Sequence, residues 1–131
     1  MILSQPSINP VAKALYLCDG HIGSANQKTD LVGLFNSIRP ARYPHAQQYL
    51  VVFAQLLGGL GQVPFYIDFR YAADGALVHT TSAQLLHFSA RHSLIQMVHT
   101  IRGCVFPQPG TYLVELFCNG QWVADTTLEL L

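Results

Sequence analysis

Charged side chains are scarce in this sequence. It has seven basic and seven acidic residues in 131, a charged fraction of 11%, whereas soluble proteins average roughly 25%. A monomer of this size would expose about 6,900 Å², or about 500 Å² for each charge. The formal net charge is zero, so no long-range field attracts phosphate backbones or anionic lipid. We therefore expect no nucleic-acid partner and no membrane partner, and a surface that binds through its uncharged areas.

Targeting segments and paired cysteines are also missing. The first ten residues, MILSQPSINP, lack the basic and apolar regions of a signal peptide, and no apolar run approaches the ~20 residues of a membrane-spanning helix. The three cysteines, Cys18, Cys104 and Cys118, include no C-x-x-C pair. This pattern predicts a cytoplasmic protein whose thiols are free and buried, and it suggests no cofactor.

The length and the apolar content fit one domain. A chain of 131 residues with 50% apolar side chains can bury one core but is short for two. We expect a partly ordered lead-in over residues 1–10, which contains Pro6 and Pro10, and a single domain over residues 11–131.

The periodicity indicates an all-β fold. Runs such as PFYIDFRY alternate between apolar and polar residues, and turn signals separate about eight such runs at intervals of 8 to 12 residues. No segment keeps a helical period for much more than ten residues, and only residues 82–92 fit a helical turn as well as a strand. The pattern predicts an antiparallel β-sandwich of immunoglobulin-like type.

Two local signals refine this prediction. Asn119 and Gly120 form the strongest short hairpin signal, because both residues readily adopt positive φ. Tyr112 follows a Pro- and Gly-rich corner, where immunoglobulin-like domains place a tyrosine whose hydroxyl binds the corner; a core tyrosine at the start of a strand is the alternative. The characteristic disulfide is absent from its usual place, since Cys118 follows Tyr112 by six residues.

Three segments carry a resemblance to a known group of proteins: LYLCDGHIGSANQKTDLVGLFNSIRP, VVFAQLLGGLGQVPFYIDFR and MVHTIRGCVFPQPGTYLVELF. With these segments the chain resembles an uncharacterised family of small bacterial proteins, a domain of unknown function. The resemblance implies a β-sandwich and a bacterial, cytoplasmic origin. It implies no established activity, so no catalytic or binding residue is transferred from it.

Histidines are the most abundant groups with ligand chemistry. Six of them occur, yet no zinc-binding spacing such as H-E-x-x-H is present. Cys18, Asp19 and His21 are the one close group, and they are weak metal candidates because strand alternation separates neighbouring side chains. His79 and His99 could face each other across strands, although solvated or hydrogen-bonded strand histidines are the more ordinary interpretation.

Catalytic motifs are missing too. The sequence has no G-x-S-x-G, which a hydrolase of that type places at a strand-to-helix turn. Asp68 and Glu115 lie in predicted strands and could approach each other as glycosidase carboxylates do. Their alternative role is to pair with Arg70 or Lys13. We therefore predict no catalytic residues and no enzyme.

The loop RPARYPHA is where basic and aromatic side chains cluster. Arg39, Arg42, Tyr43 and His45 could form a small tip for binding an anion or a peptide, as loops at the end of a sandwich often do. A solvated structural loop is the alternative.

The hypothesis that fits the composition is a protein-interaction or assembly module that self-associates through a sheet face, most simply as a homodimer. Leu15 and Leu17 oppose Tyr16 and Cys18 in the first predicted strand, so apolar side chains occupy both of its faces. The run QYLVVFAQLL shows the same property. The alternative is a sandwich that binds a small ligand or a metal with its histidines and end loops.

Overall fold

The computed structural model describes residues 6–23 and 28–131, which form an all-β sandwich. Its ten strands are β1 (Val11–Gly23), β2 (Thr29–Phe35), β3 (Ser37–Ile38), β4 (His45–Leu57), β5 (Gly61–Tyr71), β6 (Leu77–Thr80), β7 (Gln84–Phe88), β8 (Ile95–Phe106), β9 (Gly110–Cys118) and β10 (Gln121–Leu130). This confirms the predicted immunoglobulin-like sandwich class. The described part of the chain contains no helix of the length and apolarity that crossing a membrane requires.

Two sheets make up the sandwich. The first has the order β2-β1-β4-β8, and the second has the order β3-β10-β9-β5-β6, with β7 pairing alongside β6 on the same edge of β5. All pairings are antiparallel except β3 with β10. The count exceeds the expected eight because Ser37–Ile38 forms a short strand and because the ambiguous segment 82–92 contains β7. Phe88 ends β7 with 1% of its surface exposed, so burial of this ring favours the strand.

The core lies between the two sheets and follows strand alternation. On β4 the inward residues Leu50, Val52, Ala54 and Leu56 are each fully buried. They pack in one cluster with the inward residues of the second sheet, including Val63, Phe65, Ile67, Phe69, Tyr112, Val114, Leu116 and Leu128.

A β-bulge changes the faces of β1. The pairing with β4 shifts between Ala12 and Ala14, which leaves Lys13 as an extra residue. Ala12 therefore packs against the core with Leu15, while Ala14 turns outward. Simple alternation would place Ala12 and Ala14 on one face, and the bulge puts them on opposite faces.

The hairpin signal is confirmed. Cys118 pairs with Gln121, and the two turn residues between them have positive φ, 52° at Asn119 and 72° at Gly120. These angles fit a two-residue turn of the primed type, which matches the twist of the strands. The turn thus fixes the register of β9 and β10.

Tyr112 is a corner tyrosine. Its ring is fully buried, with its centroid 5.0 Å from that of Phe106 and 5.1 Å from that of Tyr71. Its hydroxyl donates to the carbonyl of Gln108 at 2.6 Å and accepts from the amide of Gln108 at 3.3 Å. The tyrosine therefore holds the loop between β8 and β9, which is the first of the two interpretations that the sequence left open.

Candidate functional site

Cys18, Asp19 and His21 do not converge. Cys18 is fully buried, and its thiol lies 3.8 Å from the carbonyl oxygen of Val51, to which it donates. Asp19 and His21 are exposed and point to the other side of β1. Burial raises the pKa of the Cys18 thiol, which disfavours the thiolate that binds metal. No group of three His, Cys, Asp or Glu side chains in the described ranges could hold a metal ion.

His79 and His99 both contact the core through phenylalanine rings. The His99 ring meets Phe65 edge-on with centroids 5.8 Å apart, and His79 meets Phe69 in the same way at 5.9 Å. Burial lowers the pKa of His99, so this imidazole is neutral at physiological pH. These contacts assign the two histidines to packing.

The structure does bring Asp68 and Glu115 together. They are directly opposite each other on β5 and β9, and Arg70 binds both, with its Nε 2.9 Å from Glu115 Oε1 and an Nη 3.3 Å from Asp68 Oδ2. The Thr80 hydroxyl donates to the other oxygen of Asp68 at 2.6 Å. The alternative interpretation of the pair, as partners of Arg70, therefore describes its geometry.

The predicted binding loop connects β3 to β4, and two of its side chains have partners within the fold. The Tyr43 hydroxyl donates to the carbonyl of Leu131 at 3.0 Å, and its ring packs against the core. His45 is the first residue of β4, and its Nε2 lies 2.8 Å from the side-chain oxygen of Gln47. Arg39 and Arg42 are both exposed. Binding at this loop stays a prediction.

A surface of a different kind covers the side of the four-stranded sheet that faces away from the core. We call this side of β2-β1-β4-β8 the outer apolar face. Alternation along the strands places large, exposed apolar side chains on it: Val11 (55% exposed), Tyr16 (48%), Ile22 (59%), Val32 (47%), Leu34 (58%) and Tyr49 (44%). They make up half of the twelve large hydrophobic residues that are exposed in the described chain.

The centre of this face is closely packed. Phe53 pairs with Tyr16 on one side and with Val98 on the other, and its ring stacks on that of Tyr16 at 6.4 Å with an angle of 9°. Phe53 and Val51 are only 5% and 1% exposed although they lie on the outer side of the sheet. The neighbouring side chains thus form a continuous apolar layer that covers the strands from outside.

Charged side chains lie at the margin of the outer apolar face. The guanidinium of Arg102 lies over the ring of Tyr49, with its Cζ 5.8 Å from the ring centroid, and Asp30 stands opposite Ile22 near the end of β1. Beside Tyr16 and Leu34, a cleft of about 270 Å³ opens toward the second sheet. An apolar centre with a charged margin is the composition of a protein-binding patch.

The outer side of the second sheet has the opposite character, and we call it the acidic face. It carries four carboxylates and one guanidinium, a balance of −3 by subtraction: Asp68, Glu115, Asp125, Glu129 and Arg70. Aromatic rings lie beside them, with Tyr66 and Phe117 stacked at 5.1 Å and the neighbouring Trp122 56% exposed.

Sequence reasoning found only part of the outer apolar face. It identified Tyr16, Val51 and Phe53 through strands with two apolar faces. It missed Val32 and Leu34, although their alternation with Gly33 in the run LVGLF was the available signal. A strand at the edge of a sheet needs no outward hydrophobic residues for its own stability, so these two side chains mark the surface most clearly.

Comparisons with known proteins identify the sequence group and the fold. The model of a family described as "Family of unknown function (DUF6941)" matches residues 13–131. Among solved structures, the chain is similar to the alkylpurine DNA glycosylase AlkC of Pseudomonas fluorescens, solved bound to DNA containing an abasic site analogue, with a TM-score of 0.51 and 11% identity. That match covers 88% of this chain but only 30% of the glycosylase. Identity this low shows a shared fold alone.

A second similar structure is an immunoglobulin-like protein from Pseudomonas aeruginosa, with a TM-score of 0.46 and 12% identity. The match covers 95% of this chain and 98% of that protein. A search of curated proteins finds no match.

Proposed function

The chain belongs to the family of unknown function DUF6941, whose model matches residues 13–131, and this membership supplies no activity. We propose that the protein is a non-enzymatic assembly module that binds a second copy of itself through the outer apolar face. The observation that supports this proposal is the group of six large exposed apolar side chains on one side of one sheet. Water contact with such a surface is unfavourable at about 25 cal/mol for each Å².

The size of the face agrees with that of a stable dimer interface. Four strands about 4.8 Å apart make the sheet roughly 19 Å wide. The eight steps from Ala14 to Ile22 rise about 3.4 Å each and make it roughly 27 Å long, so its projected area is about 500 Å². The accessible area of protruding side chains is larger than their projection. The accessible area of the outer apolar face therefore approaches the ~800 Å² per subunit of a standard interface. This is about a tenth of the 7675 Å² surface of the chain.

Charge favours the outer apolar face over the acidic face. A two-fold interface brings the same surface of two subunits together. On the acidic face, this would set an excess of three negative charges against an identical excess, and unpaired charges are costly to bury. On the outer apolar face, Arg102 and Asp30 lie at the margin, where a two-fold axis leaves them in solvent.

DNA is not the partner that we propose. The DNA in the glycosylase complex belongs to that protein, and this chain has a formal net charge of zero. Its acidic face would repel phosphates, whereas affinity for DNA comes mainly from neutralising them.

Leu34→Arg tests the proposal because Leu34 is 58% exposed on the outer apolar face. The matched control is Leu85→Arg, which changes a 66% exposed leucine on β7 of the second sheet. We expect sedimentation equilibrium at micromolar protein to give a two-subunit mass for the wild type and for Leu85→Arg. Leu34→Arg should sediment as one subunit, because two cations would be buried without partners at the two-fold interface.

A one-subunit mass for the wild type at every accessible concentration would refute self-association. A dimer that survives Leu34→Arg but dissociates with Leu85→Arg would place the interface on the second sheet. Circular dichroism of both variants confirms that each has kept the fold before its mass is interpreted.

A further inference from the structure

The segment before β1 is held in place by the turn between β9 and β10. Asn119 Nδ2 donates to Asn9 Oδ1 at 2.6 Å and to the Ser7 hydroxyl at 3.4 Å. Between these two residues, Ile8 exchanges two backbone hydrogen bonds with Leu60, of 2.9 and 3.0 Å. We call residues 6–10 the N-terminal strap.

Asn9 cannot adapt to a change at residue 119 without loss. Its own Nδ2 donates to the carbonyl of Cys118 at 3.0 Å and to Gln121 Oε1 at 3.2 Å. If the amide of Asn9 flipped to present a donor to residue 119, its oxygen would face the backbone carbonyl of Cys118, an acceptor that cannot turn away. The arrangement therefore requires a donor at residue 119.

Asn119 itself has the surroundings that favour spontaneous loss of a side-chain amide. It is exposed at the tip of a turn, and the next residue is a glycine that has no side chain to shield its backbone nitrogen. A Cβ built on Gly120 would meet nothing within 4 Å. Among the described residues, the hydrogen bonds that close the turn leave the Gly120 amide unused.

We infer that Asn119 is a site of deamidation and that its modification releases the N-terminal strap. The backbone nitrogen of Gly120 attacks Cγ of Asn119, the new C–N bond closes a succinimide, and the Cγ–Nδ2 bond breaks. Nδ2 leaves as ammonia after taking up the proton that Gly120 loses. Water then opens the ring at either carbonyl, which gives aspartate or isoaspartate at position 119.

Either product removes the donor and places a carboxylate against Asn9 Oδ1, an acceptor that cannot turn away. Isoaspartate also inserts an additional backbone carbon into a two-residue turn whose register depends on its geometry. Both changes weaken the attachment of Ser7 and Asn9. These residues line an open cleft of about 450 Å³ together with Asn119 and Gln121, so solvent already reaches the contacts that the modification weakens.

Incubation of the folded protein at mildly alkaline pH, followed by peptide mapping, tests the chemical step. The chain offers two internal controls in the same sample. Asn36 is exposed but precedes Ser37, whose side chain hinders attack, and Asn9 precedes Pro10, which has no amide proton to lose. We expect Asn119 to convert first and Asn9 to remain intact. Conversion of Asn36 before Asn119 would overturn the assignment.

Hydrogen exchange at the Ile8 amide tests the structural consequence. In Asn119→Asp, which carries one product of the reaction, this amide should exchange about 5- to 10-fold faster than in the wild type, the factor expected when one hydrogen bond stops supporting the closed state. Asn119→Gly keeps the positive φ but has no carboxylate, so its acceleration should be smaller. Equal exchange in the wild type and in Asn119→Asp would refute the release of the strap even if deamidation occurs.

Discussion

Replacing Tyr112 with phenylalanine should measure how strongly the corner hydrogen bonds stabilise this fold. The substitution removes one oxygen and keeps the ring, so the contacts with Phe106 and Tyr71 at 5.0 and 5.1 Å persist. It deletes two hydrogen bonds, one donated to the carbonyl of Gln108 at 2.6 Å and one accepted from its amide at 3.3 Å.

The magnitude follows from the environment of the two partners. A neutral hydrogen bond contributes about 0.5–1.5 kcal/mol, and an unsatisfied buried group costs more. Gln108 is exposed, so water can replace the hydroxyl at its backbone and holds the loss to about 1–2 kcal/mol for the two bonds. At about 2.1 cal/mol/K of unfolding entropy per residue, this corresponds to a decrease in Tm of about 4–7 °C for a chain of this length.

Urea unfolding followed by far-ultraviolet circular dichroism measures the change, with Tyr71→Phe as the matched control. Tyr71 donates a single bond to the carbonyl of the adjacent Pro109 at 3.1 Å, in a more exposed position, so its loss should cost less than 1 kcal/mol, the typical value for one bond. If Tyr112→Phe is no less stable than Tyr71→Phe, the corner bonds do not support the fold. In that case Tyr112 acts only through its ring, and Tyr112→Leu alone would be strongly destabilised.

Two further predictions concern buried titratable groups. Burial raises the pKa of Cys104 to about 12 and that of Cys118 to about 11, so both thiols and the buried Cys18 should react with a thiol reagent only after unfolding; rapid labelling of the native protein would show that they are accessible. Burial lowers the pKa of His99 below its ordinary value of 6.5, so the folded state binds this proton less readily than the unfolded state does. The resulting stability is present above pH 6.5 and is lost as the pH falls below it. His99→Gln should reduce this acid sensitivity in urea melts at pH 7.5 and 5.5, whereas the same change at the exposed His92 should leave it intact; equal curves for both variants would contradict the assignment to His99.

Local sequence signals predicted the features of the fold that depend on neighbouring residues. Asn119 and Gly120 define their turn because few residues tolerate positive φ. Tyr112 was identified by its place after the Pro- and Gly-rich corner, and the cysteines were correctly expected to be buried. Alternation likewise assigned the buried side of β5.

Other features depend on residues that are distant in sequence. The bulge at Lys13 arises from pairing with β4, and no local rule shows where the extra residue will fall. The Tyr43 hydroxyl donates a hydrogen bond to the carbonyl of Leu131, so one side chain of the predicted binding loop has a partner at the other end of the described chain. The hydrogen bonds from Asn119 to Ser7 and Asn9 join residues more than a hundred positions apart.

The two candidate surfaces also have some features that the sequence predicts and others that depend on the arrangement of the strands. That some strands are apolar on both sides and that charge is scarce follows from the amino-acid sequence alone, because these are properties of composition and of period two. The pairing of the strands in the folded protein was needed to show that Leu34 lies on the strand next to that of Tyr16 on one outer face. It was needed equally to show that Asp68, Glu115 and Asp125 share the outer face of the other sheet. The order of strands in a sheet decides which outward side chains become neighbours, and this order is set by packing of the whole core rather than by any segment alone.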